Sequence, residues 1–147
     1  DAQAGEVVVA EAGADGLAQQ ISVGGTFALR ADEPAALGGT ETGPGPYDYL
    51  MAALGACTSM TLRMYAKRKG IALRRASVTL THDKIYATDC AECETKEGKV
   101  DRIARLITLD GDLSDEERAS LLAIADKCPV HRTLKSEISI LSKLAER

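Results

Sequence analysis

The sequence predicts an α+β fold in which a mainly antiparallel sheet is wrapped on one long central helix. Three observations carry this prediction: short β-branched runs near the start of the chain, a long apolar helix over Pro46–Lys69, and alternating polar and apolar residues over 76–88. The chain has 147 residues, of which 45% are hydrophobic, so it can bury a sizeable core. We expect one domain over residues 1–147.

The first third of the chain has the pattern of β-strands. Residues 6–10 are a short β-branched run, and a turn at 14–16 separates them from extended stretches at 17–23 and 26–30. Two or three antiparallel strands are expected. The stretch 34–46 concentrates glycine and proline, so it is expected to be a loop that leads into the helix.

The long helix has clear start and stop signals. Pro46 suits the first helical turn, where its missing N–H is no loss, and Asp48 puts a negative charge near the positive helix end. The cations and glycine of 67–70 close it. Because residues 49–56 are apolar or glycine all round, this half must be covered on more than one side. A small monomer covers it poorly, which suggests a dimer.

The second half of the chain predicts a hairpin followed by a helix. The alternating run 76–88 and the returning run 102–109 are typical of two paired strands joined by a polar segment. Ser114 and Glu117 have the spacing of a capping box, which predicts a second helix over 115–127.

A last strand is expected near the end of the chain. It rests on three apolar residues, Ile138, Ile140 and Leu144. The predicted element order is three strands, a long helix, two strands, a helix and a strand, which is the order of an α+β domain.

Composition narrows the classes of partner. The net charge is −4 and only five residues are aromatic, so a nucleic-acid or anionic-membrane partner lacks the basic face and stacking platforms it needs. No run reaches the roughly 18 consecutive apolar residues that a membrane-spanning helix requires. We expect a soluble, cytoplasmic protein whose four cysteines are reduced or reversibly oxidised.

The strongest chemical signal is the pair Cys57 and Cys128. A thiolate is a nucleophile, and two thiols can share a disulfide. Cys128 precedes Pro129 and so can occupy an N-cap, where backbone N–H groups stabilise a thiolate. Cys57 lies about 16 Å into the long helix, beyond the reach of its dipole. Cys128 is thus the easier thiolate, and an attacking Cys57 needs a basic neighbour, for which the candidates are Arg30, Arg63, His131 and Arg132.

Cys90 and Cys93 form a separate Cys-x-x-Cys pair within the polar segment of the hairpin. They can supply half of a zinc site, with His82 as a further ligand, but a closed tetrahedral site needs a fourth ligand. A second dithiol switch and an inert hairpin are the other two interpretations, and all three stay open at this stage.

Several segments together resemble the OsmC/Ohr family of osmotically induced and organic hydroperoxide resistance proteins. They are Gly38-Gly39, Gly43-Pro44-x-Pro46, the helical run 50–62 and the Cys-Pro-Val-His-Arg motif at 128–132. The group with that motif, some of whose members are fused to an α/β-hydrolase, is the most similar. The resemblance implies an intertwined homodimer with the two long helices at its centre.

The resemblance also implies a function. It implies a peroxidase without metal or organic cofactor, in which Cys57 attacks an organic hydroperoxide, Cys128 resolves the sulfenic acid to a disulfide, and an external dithiol reduces it. Ala14 and Tyr47 stand where hydroperoxide resistance proteins have an arginine and a glutamate. Asp48 and Arg30 are the possible replacements. The alternative is a non-catalytic dimeric module with structural or redox-sensing thiols and a small-ligand pocket.

Overall fold

The computed structural model describes residues 2–146, which fall into two compact units divided between Leu50 and Met51. The first unit contains strands β1 (Val7–Glu11), β2 (Gln19–Val23) and β3 (Phe27–Ala31). They form an antiparallel sheet in the order β1-β2-β3. The expectation of antiparallel strands here is confirmed, with three strands rather than two.

The loop after β3 is organised around the carboxylate of Asp32. The hydroxyls of Thr40 and Thr42 each donate to Asp32 Oδ2 at 2.6 Å, and this buried side chain also accepts from the Glu33 N–H at 2.8 Å. The Thr40 and Thr42 hydroxyls hold the pKa of Asp32 well below its usual range. A stretch rich in glycine and proline, with a short 3-10 turn at Ala35–Leu37, thereby has a defined path to the helix.

Helix α1 spans Pro46–Lys69, the bounds predicted from the sequence. Its buried residues are Leu54, Thr58, Leu62 and Ala66, which recur every fourth position and so lie on one face. Gly70 follows with φ +66°, the left-handed conformation in which glycine ends helices without strain.

Strands β4 (Leu73–Tyr86) and β5 (Lys99–Gly111) form the predicted antiparallel hairpin in the second unit. β5 extends beyond the predicted run 102–109 at both ends, because polar residues there still take part in the backbone ladder. β4 begins before the predicted run 76–88 but ends short of it at Tyr86, where a 3-10 turn at Ala87–Asp89 takes over. In the register Val78 pairs with Ile107 and Leu80 with Arg105. The hairpin therefore carries Arg105 midway along β5.

Two helices follow the hairpin: α2 (Asp115–Ala125) and α3 (Pro129–Leu134). The predicted capping box of α2 is present in both directions, between Ser114 and Glu117. The predicted helix extends two residues too far, and α3 was not predicted. The core of this unit comprises Leu62, Ala66, Leu73, Leu121 and Ala125. It fixes α1 and α2 against the base of the hairpin.

The predicted last strand is wrong. Residues 137–146 have no strand assignment, and Ile140 and Leu144 are 82% and 96% exposed. Apolar alternation makes a strand only where an edge is available to pair with, and the described chain supplies none for this segment. The fold is nevertheless α+β with antiparallel sheets and one long helix. Across residues 2–146, no helix is both long and apolar enough to cross a membrane.

Candidate functional site

Cys57 of α1 and Cys128, which directly precedes α3, come together in the second unit. Both are free thiols, and adjacent residues at the start of α3 donate backbone hydrogen bonds to the two sulfurs. Cys128 is completely buried, whereas Cys57 is partly exposed. Two thiols that are distant in the sequence are thus brought to the same helical turn, one on a partly exposed residue and one on a buried residue.

The start of α3 provides a backbone donor for each sulfur. The N–H of His131 donates to Cys128 Sγ at 3.3 Å, and that of Val130 donates to Cys57 Sγ at 3.5 Å. Cys128 is the N-cap, as predicted, with Pro129 at the first helical position. The N–H groups of the first helical turn lack partners within the helix, so they are available to the two sulfurs.

Arg105 is the cation of this site. Its Nη1 donates to Thr58 Oγ1 at 2.9 Å and to the Ala125 carbonyl at 3.1 Å. Its Nη2 lies 3.0 Å from Asp126 Oδ1 and 2.8 Å from His131 Nδ1. One guanidinium thereby connects β5 with α1, with the end of α2 and with α3, and it is largely buried, with 12% of the side chain exposed.

Thr58 lies between this guanidinium and the buried sulfur. Thr58 Oγ1 is 3.9 Å from Cys128 Sγ and 2.7 Å from the Leu54 carbonyl. A hydroxyl has one proton, and the carbonyl is the nearer acceptor, so the Thr58 contact with sulfur is weak. Thr58 therefore acts mainly by fixing the position of Arg105.

These contacts favour the charged form of Cys128. Burial, the largest single influence, raises the pKa of the Cys128 thiol. The His131 N–H, the Cys57 thiol, the weak Thr58 contact and the positive charge of Arg105 all lower it, and together they hold the pKa of Cys128 below the usual value for cysteine. The buried sulfur is consequently the one whose charge the fold stabilises.

His131 is neutral in this arrangement. Because Arg105 can only donate, His131 Nδ1 is the acceptor and the ring proton lies on Nε2. Burial, followed by the charge of Arg105, lowers the pKa of His131, while Asp126 opposes this shift. His131 thus orients Arg105 through its side chain and binds Cys128 through its backbone.

The other predicted residues have different partners. In the first unit, Asp48 accepts from the Gly45 N–H at 2.8 Å and Arg30 donates to Thr42 at 2.8 Å. In the second unit, Arg63 donates to the carbonyls of Leu73 and Arg74, and Arg132 is exposed. Of the four basic residues predicted from sequence, His131 is the one in the network around the thiols.

Arg105 was missed because an arginine within a strand is usually assigned to the solvent face. The overlooked signal is the alternation of side chains along a strand, which puts every second residue on the same face. Arg105 shares the partly buried side of β5 with Ile103, Ile107 and Leu109. A cationic side chain on the same face of a strand as partly buried apolar residues predicts that it has a buried partner.

Cys90 and Cys93 are joined by a disulfide. Their sulfurs lie within 4.8 Å of a carboxylate oxygen of Glu92, while His82 Nε2 contacts Asp101 Oδ1 at 2.9 Å and is not in that group. Sulfurs bonded to each other are not the thiolates that a metal needs. The disulfide argues against the zinc interpretation, and it is consistent with both the dithiol switch and the inert hairpin.

The family model for OsmC-like proteins matches residues 39–143, which is most of the chain and includes both thiols of the site. This chain belongs to the OsmC-like protein family. No curated protein matches it.

Solved structures with the OsmC-like fold agree with this assignment. An organic hydroperoxide resistance protein OsmC from Legionella pneumophila, also described as a predicted redox protein, is 23% identical with a TM-score of 0.63, covering 88% of this chain and 89% of that one. An OsmC-like protein from Mycoplasma pneumoniae is 20% identical, with a TM-score of 0.64 and coverages of 88% and 84%. An organic hydroperoxide resistance protein from Elizabethkingia anophelis is 17% identical, with a TM-score of 0.63 and coverages of 88% and 86%. At these identities the similarity establishes the fold.

Proposed function

We propose that this OsmC-like protein is a thiol-dependent peroxidase that reduces organic hydroperoxides through Cys57 and Cys128. The observation that carries the proposal is that one partly exposed and one buried free thiol each accept a backbone hydrogen bond from the start of α3. The organic hydroperoxide resistance proteins among its structural neighbours support the substrate class.

The difference in exposure assigns the two roles. A peroxide reaches Cys57, because Cys128 has no accessible surface. The Cys57 thiolate attacks the outer oxygen of ROOH, the O–O bond breaks, and ROH leaves after taking up a proton, so that Cys57 becomes a sulfenic acid. The Cys128 thiolate then attacks the Cys57 sulfur, an S–S bond forms, and hydroxide leaves and is protonated to water. An external dithiol supplies two electrons and two protons to regenerate both thiols.

Arg105 supplies the positive charge that this chemistry requires. Ala14 and Tyr47 occupy the places where the resemblance implies an arginine and a glutamate. The bonds from Arg105 to Thr58 and His131 put a guanidinium beside the thiols from β5 instead. Arg63 is excluded from this role by its bonds to the backbone carbonyls of Leu73 and Arg74. No metal or organic cofactor enters the cycle.

An alkyl or lipid hydroperoxide is the proposed substrate. Cys57 lies on a helix whose preceding turns are apolar, with Leu54 and Ala53 among its neighbours in sequence. Such surroundings favour a substrate with an apolar part to bury, which hydrogen peroxide lacks. Equal rates with hydrogen peroxide and cumene hydroperoxide would rule out this preference.

A homodimer is the proposed assembly. Met60 and Met64 on α1 are 66% and 70% exposed, and Phe27 on β3 is 65% exposed. Exposed apolar groups on this scale are typical of protein–protein interfaces. We further propose that the two compact units together form one OsmC-like domain, since the family match crosses their boundary, and that the protein works in the reducing cytoplasm.

The alternative is a non-catalytic dimeric module with structural or redox-sensing thiols that binds a small ligand. A cavity of about 600 Å³ on the three-stranded sheet favours it; Val8, Ile21, Phe27 and Leu29 are among its lining residues. In that case Cys57 reacts with a thiol reagent at neutral pH no faster than a free buried cysteine.

The deciding experiment is turnover of cumene hydroperoxide with dithiothreitol. We expect the unaltered protein to turn over and Cys57→Ser to be inactive. When dithiothreitol is left out, Cys128→Ser is expected to reduce one equivalent of peroxide and stop as a sulfenic acid. The control is Cys90→Ser/Cys93→Ser, which removes two cysteine sulfurs outside the site and is expected to retain activity. If there is no turnover and Cys57 and Cys128 are still free after exposure to peroxide, the protein has the OsmC-like fold but not the proposed peroxidase activity.

A further inference from the structure

The Cys90–Cys93 disulfide closes a small loop at the end of the β4–β5 hairpin. The last pair of the ladder is Tyr86 with Lys99, after which the Ala87 N–H donates to the Gly98 carbonyl at 2.8 Å. A 3-10 turn at Ala87–Asp89 follows, and the Cys90 N–H donates to the Ala87 carbonyl at 3.1 Å. Cys90 is thereby fixed to the hairpin, while the loop beyond it projects from the end.

This disulfide is separate from the Cys57/Cys128 pair. Lys99 begins β5, and Arg105, which lies in the network around those thiols, is six residues further along the same strand. At about 3.3 Å per residue that is about 20 Å, far beyond direct sulfur–sulfur contact. The two pairs exchange electrons only through another molecule.

The two sulfurs differ in accessibility. Cys90 is 5% exposed, whereas Cys93 is partly exposed. The Lys96 ammonium donates to the Cys93 carbonyl at 2.8 Å and so holds a positive charge beside the accessible cysteine. An incoming thiolate therefore meets Cys93 first, because Cys93 is the more exposed of the two. The Lys96 charge offsets the nearby carboxylate of Glu92, whose oxygen lies within 4.8 Å of both sulfurs.

A role as a structural staple explains this bond poorly. Cys90 and Cys93 are three residues apart, and a disulfide that closes so short a loop removes little entropy from the unfolded chain. The hairpin is already held by a ladder that runs from Leu73 and Gly111 to Tyr86 and Lys99. The bond joins neither the two strands nor two separate elements.

We propose that Cys90–Cys93 is a second thiol–disulfide exchange site, which takes its electrons from an external dithiol independently of Cys57 and Cys128. The donor thiolate attacks Cys93 Sγ, the Cys90–Cys93 bond breaks, and Cys90 leaves with the electron pair and takes up a proton. The second thiolate of the donor then attacks the donor's first sulfur, which is bonded to Cys93 in the mixed disulfide. Cys93 leaves and becomes a thiol by taking up a proton. The donor becomes a disulfide, and the site gains two electrons and two protons.

The test uses the full chain with Cys57→Ser and Cys128→Ser, so that Cys90 and Cys93 are the only sulfur pair. The oxidised protein is treated with dithiothreitol, and reduction is followed by the mass added when new thiols react with maleimide. We expect the folded protein to be reduced at a rate within about tenfold of the same protein unfolded in urea, as for an accessible disulfide. A folded-state rate more than about tenfold slower overturns the proposal.

Two further measurements distinguish exchange from a structural bond. After reduction, the circular dichroism spectrum and the unfolding midpoint of this variant are expected to match those of Cys57→Ser/Cys128→Ser/Cys90→Ser/Cys93→Ser. Loss of the β-sheet signal in that spectrum on reduction means that the bond is structural and overturns the proposal.

A thioredoxin lacking its second active-site cysteine is expected to be trapped on Cys93, and trapping on Cys90 overturns the order of attack. Because the peroxidase thiols are absent, failure of the proposed peroxidase does not affect these results.

Discussion

Replacing Arg105 with methionine tests the electrostatic part of the proposed site. The substitution keeps an unbranched, partly apolar side chain on β5 but removes the guanidinium, with its bonds to Thr58, Ala125, Asp126 and His131. We expect slower reaction of the two thiols at neutral pH, because the thiolate of Cys128 loses a nearby positive charge.

The geometry gives the size of the effect. Arg105 Nη1 lies 2.9 Å from Thr58 Oγ1, which lies 3.9 Å from Cys128 Sγ, so nitrogen and sulfur are at most about 6.8 Å apart. At an effective dielectric constant of about 20, unit charges at that distance attract by about 2.4 kcal/mol. Asp126, 3.0 Å from Nη2, offsets part of the guanidinium charge. We therefore expect a loss of about 1–2 kcal/mol, or about 5- to 30-fold in rate at neutral pH.

The assay is stopped-flow measurement of disulfide formation between Cys57 and Cys128 as a function of pH, with cumene hydroperoxide in excess so that attack by Cys128 limits the rate. The deficit of Arg105→Met is expected to shrink as pH rises, since hydroxide then ionises the thiol without help from Arg105. Arg105→Lys keeps the positive charge but not the planar guanidinium, so its rate is expected to fall less than that of Arg105→Met. Arg63→Met is the matched control, because Arg63 binds two backbone carbonyls instead of the thiol network. If Arg105→Met and Arg63→Met oxidise at the same rate at neutral pH, the electrostatic reasoning is refuted.

Four further predictions concern stability and assembly. Leu62→Ala opens a cavity at a fully buried site, and urea unfolding is expected to show a loss of about 2–5 kcal/mol; a loss under 1 kcal/mol contradicts this packing. Ser114→Ala removes half of the capping box and is expected to cost about 1 kcal/mol in the same assay, whereas no loss contradicts the cap. The pKa of His131 is lowered by burial and Arg105, so its stabilising contribution is complete above about pH 6.5 and is lost as pH falls toward the folded value. His131→Asn is expected to flatten that part of a stability-against-pH curve, and an unchanged slope argues against it. Met64→Lys places a charge on the exposed apolar part of α1 and is expected to increase the monomer fraction in sedimentation; an unchanged mass removes this part of α1 from the interface.

Local signals predicted the elements that depend on local chemistry. Pro46, Asp48 and the cations before Gly70 gave α1 its correct bounds, and Ser114 with Glu117 located the start of α2. The last strand failed for the converse reason. A strand needs a partner strand. The apolar alternation at 138–144 indicates that the segment is suited to pairing, but it does not identify a strand to pair with.

The site divides in the same way. The sequence by itself determined the two thiols and the N-cap position of Cys128, because Cys-Pro is a local pattern. Only the tertiary structure decided that Arg105 is the cation of the site and that the start of α3 reaches both Cys57 and Cys128. Those facts depend on strand register and on the packing of β5 and α3 against α1, which bring together residues that are 26 to 73 positions apart. Charge acts through space, so the residue that stabilises a thiolate is set by where the chain returns, not by which residues stand beside it in the sequence.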